Sequence, residues 1–145
     1  WGEGLGGLLS LACAVLVPGV AKCAAFNPTP ADFRGSWEAG ASDLAFSGVT
    51  RHFREEDPAA ERLDEFFGTL GYVDAASFAA LLPAGTELLC GCGLMDAAQP
   101  PLGCYAAYNR AACVKKELAT YPKFVHERIN DFEDRLLAFM HFGER

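Results

Sequence analysis

The hydrophobic and polar positions of this chain follow a helical period most clearly near its C-terminal end. In residues 123–142 apolar side chains recur every three or four positions: Val125, Ile129, Phe132, Leu136, Phe139 and Met140. Charged residues fill the positions between them, which indicates a helix with one buried face and one solvated face. Gly143 follows where a C-terminal cap is expected.

Two shorter helices are predicted in the middle of the chain. Asp57 and Pro58 give a helix start, an N-cap residue followed by proline at the first helical position, for a helix over residues 59–70. Asp74 begins a second helix over residues 75–82, which a Pro-Ala-Gly turn closes. The pair predicts a hairpin of two antiparallel helices.

Two further segments complete the prediction. Residues 86–95 form a short apolar run that fits either a buried strand or one turn of helix, because periodicity cannot separate the two at this length. Residues 104–121 contain strong helix formers and predict another helix. No segment shows the sustained alternation of a half-buried strand, so we expect an all-α fold, a small bundle of four to five helices.

An apolar arm without any charge occupies residues 5–21. As a helix it would reach about 25 Å, just short of a bilayer core of about 30 Å, so it is a candidate for a single membrane span. A buried core helix ending at Val17 and a retained signal sequence are the alternatives. The positions expected to contact membrane or partner are Leu5, Leu8, Leu9, Leu11, Val15, Leu16 and Val17.

The composition divides the chain into three parts. The apolar N-terminal arm covers residues 1–26 and a connector rich in Pro, Gly, Ser and Asp covers residues 27–48. The predicted helical domain covers residues 49–145. The 12 basic and 19 acidic residues give a net charge of −7, which opposes the phosphate attraction that dominates nucleic-acid binding. We therefore expect no nucleic-acid partner.

Six cysteines, an even number, favour disulfide cross-links and an oxidising compartment. The candidates for pairing are Cys13, Cys23, Cys90, Cys92, Cys104 and Cys113. The last four could instead hold a zinc ion, but a spacing of nine residues places Cys104 and Cys113 on opposite faces of one helix. No cofactor is the main expectation, and zinc is the alternative.

The sequence offers little for catalysis. His126 and Glu127 begin like the helix motif of zinc proteases, but Asn130 stands where the second histidine belongs. No serine lies in a G-x-S-x-G motif, and the glycines before residue 8 follow no predicted strand. These observations predict no catalytic residues and a protein that is not an enzyme.

The function predicted from these features is a non-catalytic accessory or linker subunit of a larger membrane-associated complex, for example an organellar one, with other protein subunits as partners. The first alternative is a secreted or lumenal, disulfide-stapled helical domain that binds an apolar ligand or a partner protein. The second is a small zinc-binding protein. A set of phenylalanines either contacts lipid or pigment or forms a packed core: Phe66, Phe67, Phe78, Phe124, Phe132, Phe139 and Phe142.

Overall fold

The computed structural model describes residues 1–140 and contains a parallel β-sheet with helices on both faces. Its four strands lie side by side in chain order: β1 (Gly2–Glu3), β2 (Lys22–Phe26), β3 (Glu87–Gly93) and β4 (Lys115–Tyr121). Every neighbouring pair is parallel. The prediction of an all-α bundle is therefore wrong.

The strands escaped prediction because a parallel sheet covered on both faces removes the alternation of polar and apolar residues. All of β2 except Lys22 is buried, and all of β3 except Glu87. β4 contains Lys, Glu, Leu and Ala, which favour helices in isolation, yet it pairs with β3 along its whole length. Pairing within the sheet overrides this local preference.

Within residues 1–140, seven helices connect and cover the strands. They are α1 (Leu5–Leu16), α2 (Phe33–Glu38), α3 (Leu44–Glu55), α4 (Leu63–Leu70), α5 (Ala75–Ala79), α6 (Pro101–Arg110) and α7 (Asn130–Met140). One 3₁₀ turn, Gly71–Val73, joins α4 to α5. Helical crossovers of this kind are what parallel neighbouring strands require.

The predicted helices are partly confirmed. The side chain of Asp74 caps α5 as expected, accepting a hydrogen bond from the backbone N–H of Ala76 at 2.7 Å. The helix predicted over residues 123–142 is shorter, because α7 begins at Asn130. The expected cap at Gly143 lies outside the described residues. The helix predicted over residues 104–121 is wrong after Arg110, where the chain turns into β4.

The apolar arm is part of the sheet and its helical layer. It supplies β1, α1 and β2, and Leu8, Leu11 and Ala14 of α1 pack in the core. In the described part of the chain, no helix combines the length and the apolar character needed to cross a bilayer. The membrane span is therefore wrong, and the arm is apolar because α1 packs on a buried sheet. Val15 is partly buried, and the exposed positions of the predicted set are Leu5, Leu9, Leu16 and Val17.

The predicted disulfide cross-links are also wrong. All six cysteines are free, and all but Cys13 are buried: Cys23, Cys90, Cys92, Cys104 and Cys113. These five lie in the core between the sheet and α1, α5 and α6, where they pack as small apolar side chains. Desolvation raises the pKa of Cys23 to about 12, so this thiol stays protonated.

Candidate active site

Three polar or unusual positions meet at the carboxyl edge of the sheet. Gly4 directly follows β1, Asp96 comes shortly after β3, and His126 comes shortly after β4. Because all four strands are parallel, these carboxyl ends lie on the same side of the sheet. Open sheets with helices on both faces bind their ligands at this edge.

Asp96 and His126 form the closest contact of this edge. Nδ1 of His126 lies 2.7 Å from Oδ2 of Asp96, whose side chain is fully buried. The other carboxylate oxygen, Oδ1, accepts backbone hydrogen bonds from Ala98 and Gln99, both at 2.9 Å. The carboxylate is thereby fixed in one orientation, with one oxygen aimed at the imidazole.

This contact determines the role of each histidine nitrogen. A carboxylate can only accept hydrogen bonds, so Nδ1 of His126 carries a hydrogen and donates a hydrogen bond to Oδ2 of Asp96. In the neutral form of the ring Nε2 is then the acceptor, and 36% of the side chain is exposed. The arrangement is that of a general base held in its productive tautomer by a buried carboxylate.

Gly93 at the end of β3 allows the segment that carries His126 to approach the sheet. A Cβ atom on Gly93 would lie 2.5 Å from the carbonyl oxygen of Phe124 and 2.6 Å from that of Val125. The two segments are joined by a hydrogen bond from the backbone N–H of Met95 to the carbonyl of Phe124, at 2.9 Å. Any larger residue at position 93 would displace this segment.

A buried polar network links the Asp96 loop to the turn at Gly4. The hydroxyl of Thr29 donates to Oε1 of Gln99, and Nε2 of Gln99 donates to the hydroxyl of Ser36 at 3.2 Å. The backbone N–H of Thr29 donates to the carbonyl of Gly4 at 3.0 Å. Gln99 also donates its backbone N–H to Asp96, so the network positions both parts of the edge.

The turn at Gly4 joins β1 directly to α1. Gly4 has φ 57° and ψ −124°, a backbone conformation that residues with a side chain rarely adopt. Its N–H donates to the carbonyl of Phe26 at 2.9 Å, which fixes the turn against β2. The first amide groups of α1, beginning with Leu5, have no acceptor within the helix and lie where the helix dipole favours negative charge.

The residues singled out in the sequence lie mostly elsewhere. The four cysteines proposed for zinc are in the core, and residues 1–140 contain no group of three or more His, Cys, Asp or Glu side chains that could hold a metal ion. His52, on α3, stacks on Phe66 and pairs with Glu56. Of the aromatic set, Phe142 lies outside the described residues.

The sequence pattern suggests only a zinc ligand for His126 and only a loop position for Asp96. The sequence feature that could have identified them is their order in the chain: a glycine-rich turn, then Asp96, then His126. This order indicates a site only when the strands before each of these positions are recognised. β1 has just two residues, so no periodicity could reveal it.

Comparison with known proteins identifies related molecules. The family model described as Acetyl xylan esterase (AXE1) matches residues 1–142. Acetyl xylan esterase 1 from Thermoanaerobacterium sp. JW/SL YS485 is 37% identical, with a TM-score of 0.88, and the match covers 96% of this chain and 43% of that chain. The acetyl xylan esterase from Paenibacillus sp. R4 is 30% identical, with a TM-score of 0.89, and the match covers 97% of this chain and 43% of that chain.

The chain thus spans about 43% of the length of these two esterases. A monoacylglycerol lipase from Paleococcus ferrophilus matches at 14% identity with a TM-score of 0.63, covering 96% of this chain and 66% of that chain. At this identity the likeness shows the fold alone. The matches to the acetyl xylan esterases identify the fold as α/β hydrolase-like.

These matches overturn the predicted function. The matches are to a family of hydrolases. The predictions of a non-catalytic accessory subunit and of a protein that is not an enzyme are therefore wrong. The same matches contradict the two alternative predictions, a disulfide-stapled helical domain and a small zinc-binding protein. Acetyl xylan esterases are typically serine hydrolases that act without a cofactor.

Proposed function

Because the chain belongs to the acetyl xylan esterase family, we propose that it carries the acid–base centre of an esterase that removes acetyl groups from xylan or a similar carbohydrate. The observation that carries the proposal is the contact between Nδ1 of His126 and the buried carboxylate of Asp96, 2.7 Å long, at the carboxyl edge of the sheet. The substrate class follows from the related esterases.

The order of the residues along the chain supports this proposal. In α/β hydrolases the nucleophile sits on a sharp turn between a strand and a helix, and the acidic residue and the histidine follow it in that order. The turn at Gly4, then Asp96, then His126 repeat this order, each after the carboxyl end of a strand.

The chemistry assigned to the pair is proton transfer. Nε2 of His126 takes a proton from the attacking group, and Asp96 stabilises the imidazolium that forms. The same proton then passes to the sugar oxygen as the ester bond breaks. The backbone N–H of Leu5, at the start of α1, is placed to donate to the negative carbonyl oxygen of the tetrahedral intermediate.

A secreted location is part of the proposal, since esterases that act on xylan are generally extracellular. It corresponds to the alternative location predicted from the sequence. Detecting the native protein in the culture medium of its source, with a cytosolic marker retained in the cells, would test it.

The experiment measures acetate released from acetylated xylooligosaccharides by the wild-type protein and by Asp96→Asn. We expect the wild type to release acetate above the rate in buffer, and D96N to lose about 10²- to 10⁴-fold of that catalysis, because an amide cannot hold the histidine in the same tautomer. Asp134→Asn is the matched control, since Asp134 is exposed on α7. Failure of the wild type to release acetate would overturn the proposed function.

A further inference from the structure

Glycine occupies the position of the nucleophile in this chain. In related hydrolases a serine stands at the centre of G-x-S-x-G on the strand-to-helix turn. Here the five residues from Gly2 to Gly6 read G-E-G-L-G, so Gly4 is the central residue. Its φ of 57° and ψ of −124° give the strained turn that this position demands.

The glycines of this turn are required for different reasons. A Cβ on Gly2 would lie 2.2 Å from the carbonyl oxygen of Gly6, and one on Gly7 would lie 3.0 Å from Cα of Pro28. Close packing therefore demands glycine at position 2, and a side chain at position 7 would have to displace Pro28 by a few tenths of an ångström. A Cβ on Gly4 would meet only Cγ2 of Thr29, at 4.0 Å. Space for a side chain exists at Gly4, and the chain does not use it.

The neighbouring hydroxyl does not replace the missing nucleophile. Thr29 is buried, and its hydroxyl donates a hydrogen bond to Oε1 of Gln99. A hydroxyl committed in this way cannot pass its proton to His126. Its backbone N–H is also fixed, because it donates to the carbonyl of Gly4.

A second observation points to a bound polar molecule at the same edge. Asn27, which directly follows β2 between the ends of β1 and β3, is 1% exposed. Its Oδ1 accepts from the backbone N–H of Gly93, but Nδ2 has no hydrogen-bond partner within residues 1–140. A buried donor left without an acceptor costs about 1–3 kcal/mol, and such donors are usually satisfied by ordered water.

We propose that water is the nucleophile in this chain, held in the space beside Gly4 that a nucleophilic side chain would fill and activated by His126. The inference rests on the proposed function and changes its mechanism. Hydrolysis then proceeds in a single displacement, without an acyl-enzyme intermediate.

The reaction balances without any further reactant. The water oxygen forms a bond to the acetyl carbonyl carbon while one water proton moves to Nε2 of His126. The tetrahedral intermediate collapses, the bond between the carbonyl carbon and the sugar oxygen breaks, and the proton on Nε2 passes to that oxygen. The products are acetic acid, which ionises at neutral pH, and the free sugar hydroxyl.

The decisive experiment follows the wild-type chain by intact mass spectrometry during turnover of an aryl acetate, and treats it separately with a fluorophosphonate probe that labels serine nucleophiles. We expect acetate release without an acetyl adduct and without labelling. An acetyl adduct or a labelled residue in the wild type would overturn the inference and leave the proposed function standing. Absence of any acetate release would instead overturn the proposed function, on which the inference rests.

Two substitutions at one position sharpen the test. Gly4→Ser supplies the hydroxyl, so we expect fluorophosphonate labelling at residue 4, an acetyl adduct and at least about 100-fold faster acetate release. Gly4→Ala adds the same Cβ without the hydroxyl, and we expect it to lower the wild-type rate at least about 10-fold by excluding the water. Wild-type activity in G4A would overturn the inference. The measurements on the wild type decide the question even if either variant fails to fold.

Discussion

Nδ1 of His126 and Oδ2 of Asp96 lie 2.7 Å apart although the two residues are 30 positions apart in the chain. Asp96 follows β3 and His126 follows the neighbouring strand β4, so both residues lie at the same edge of the sheet. A hydrogen bond from the N–H of Met95 to the carbonyl of Phe124 joins the segments on which they lie. Burial removes the Asp96 carboxylate from solvent while the imidazole stays accessible. In this pair, Asp96 is the fixed hydrogen-bond acceptor and His126 is the base that can reach a substrate.

The close approach at Gly93 predicts that this glycine is needed for catalysis. In Gly93→Ala the new methyl group would meet two carbonyl oxygens of the His126 segment at 2.5 and 2.6 Å, so the segment must shift. A displacement of about 1 Å in such a site costs about 100-fold in rate, and we expect a loss of that size in acetate release. Gly48→Ala is the control, because a Cβ there meets nothing within 4 Å. An unchanged rate in G93A would contradict the role assigned to Gly93.

Asp74 is predicted to contribute strongly to stability. Its buried carboxylate accepts three backbone hydrogen bonds, from Ala76 at 2.7 Å, Phe33 at 2.8 Å and Asp32 at 3.0 Å. Asp74→Ala leaves these donors unpaired, and we expect the free energy of unfolding in urea to fall by at least about 2 kcal/mol. Asp64→Ala, at an exposed carboxylate, should change it by less than about 0.5 kcal/mol. Equal stability of the two variants would show that the cap is dispensable.

The free cysteines predict a specific pattern of thiol reactivity. In the folded protein only Cys13 is exposed, so a thiol reagent should modify one group rapidly. After denaturation without reductant, all six cysteines should react. A lower number in the denatured state, with the missing cysteines found in disulfide-linked peptides, would contradict the structure.

The raised pKa of Cys23 predicts a loss of stability in alkaline solution. Burial raises this pKa from its ordinary value of 9.0 to about 12, so in this window the unfolded thiol loses its proton while the folded thiol keeps it. The contribution of the protonated Cys23 thiol to the free energy of unfolding is complete below about pH 9. This contribution is lost as the pH rises towards about 12, by up to about 1.4 kcal/mol per pH unit. Urea unfolding at several pH values, with reductant present, measures this slope.

Cys23→Ala removes the titrating group, so its free energy of unfolding should fall less steeply with pH than that of the wild type. Cys13→Ala, which removes the exposed cysteine, is the matched control and should keep the wild-type slope. Parallel pH profiles for C23A and the wild type would show that the Cys23 thiol does not cause the alkaline loss.

Only the local features of the fold could be predicted from the sequence. The cap at Asp74 and the amphipathic stripe of α7 depend on residues close together in the chain, and both appear in the structure. β2 and β4 depend on partners far away: Cys23 aligns with Leu88, and Leu118 aligns with Cys90. Their sequences show no strand period, because one strand is buried on both faces and the other is made of helix-forming residues.

The candidate site was hidden for the same reason. Without the parallel strands, Asp96 and His126 are two residues in separate loops with no motif between them. The glycines around Gly4 follow no strand that the sequence predicts, yet β1 lies there and pairs with β2. The sequence contains no G-x-S-x-G motif, and Gly4 occupies the kind of strand-to-helix turn on which that motif places its serine.

The most direct test of the account is the rate of acetate release by His126→Gln relative to the wild type, with His52→Gln as the control for a histidine away from the edge. If His126 is the base that activates the attacking group, H126Q should lose at least about 100-fold in the catalysed rate while H52Q keeps it. Equal rates for H126Q and the wild type would contradict the account, because the pair of Asp96 and His126 would then take no part in the reaction.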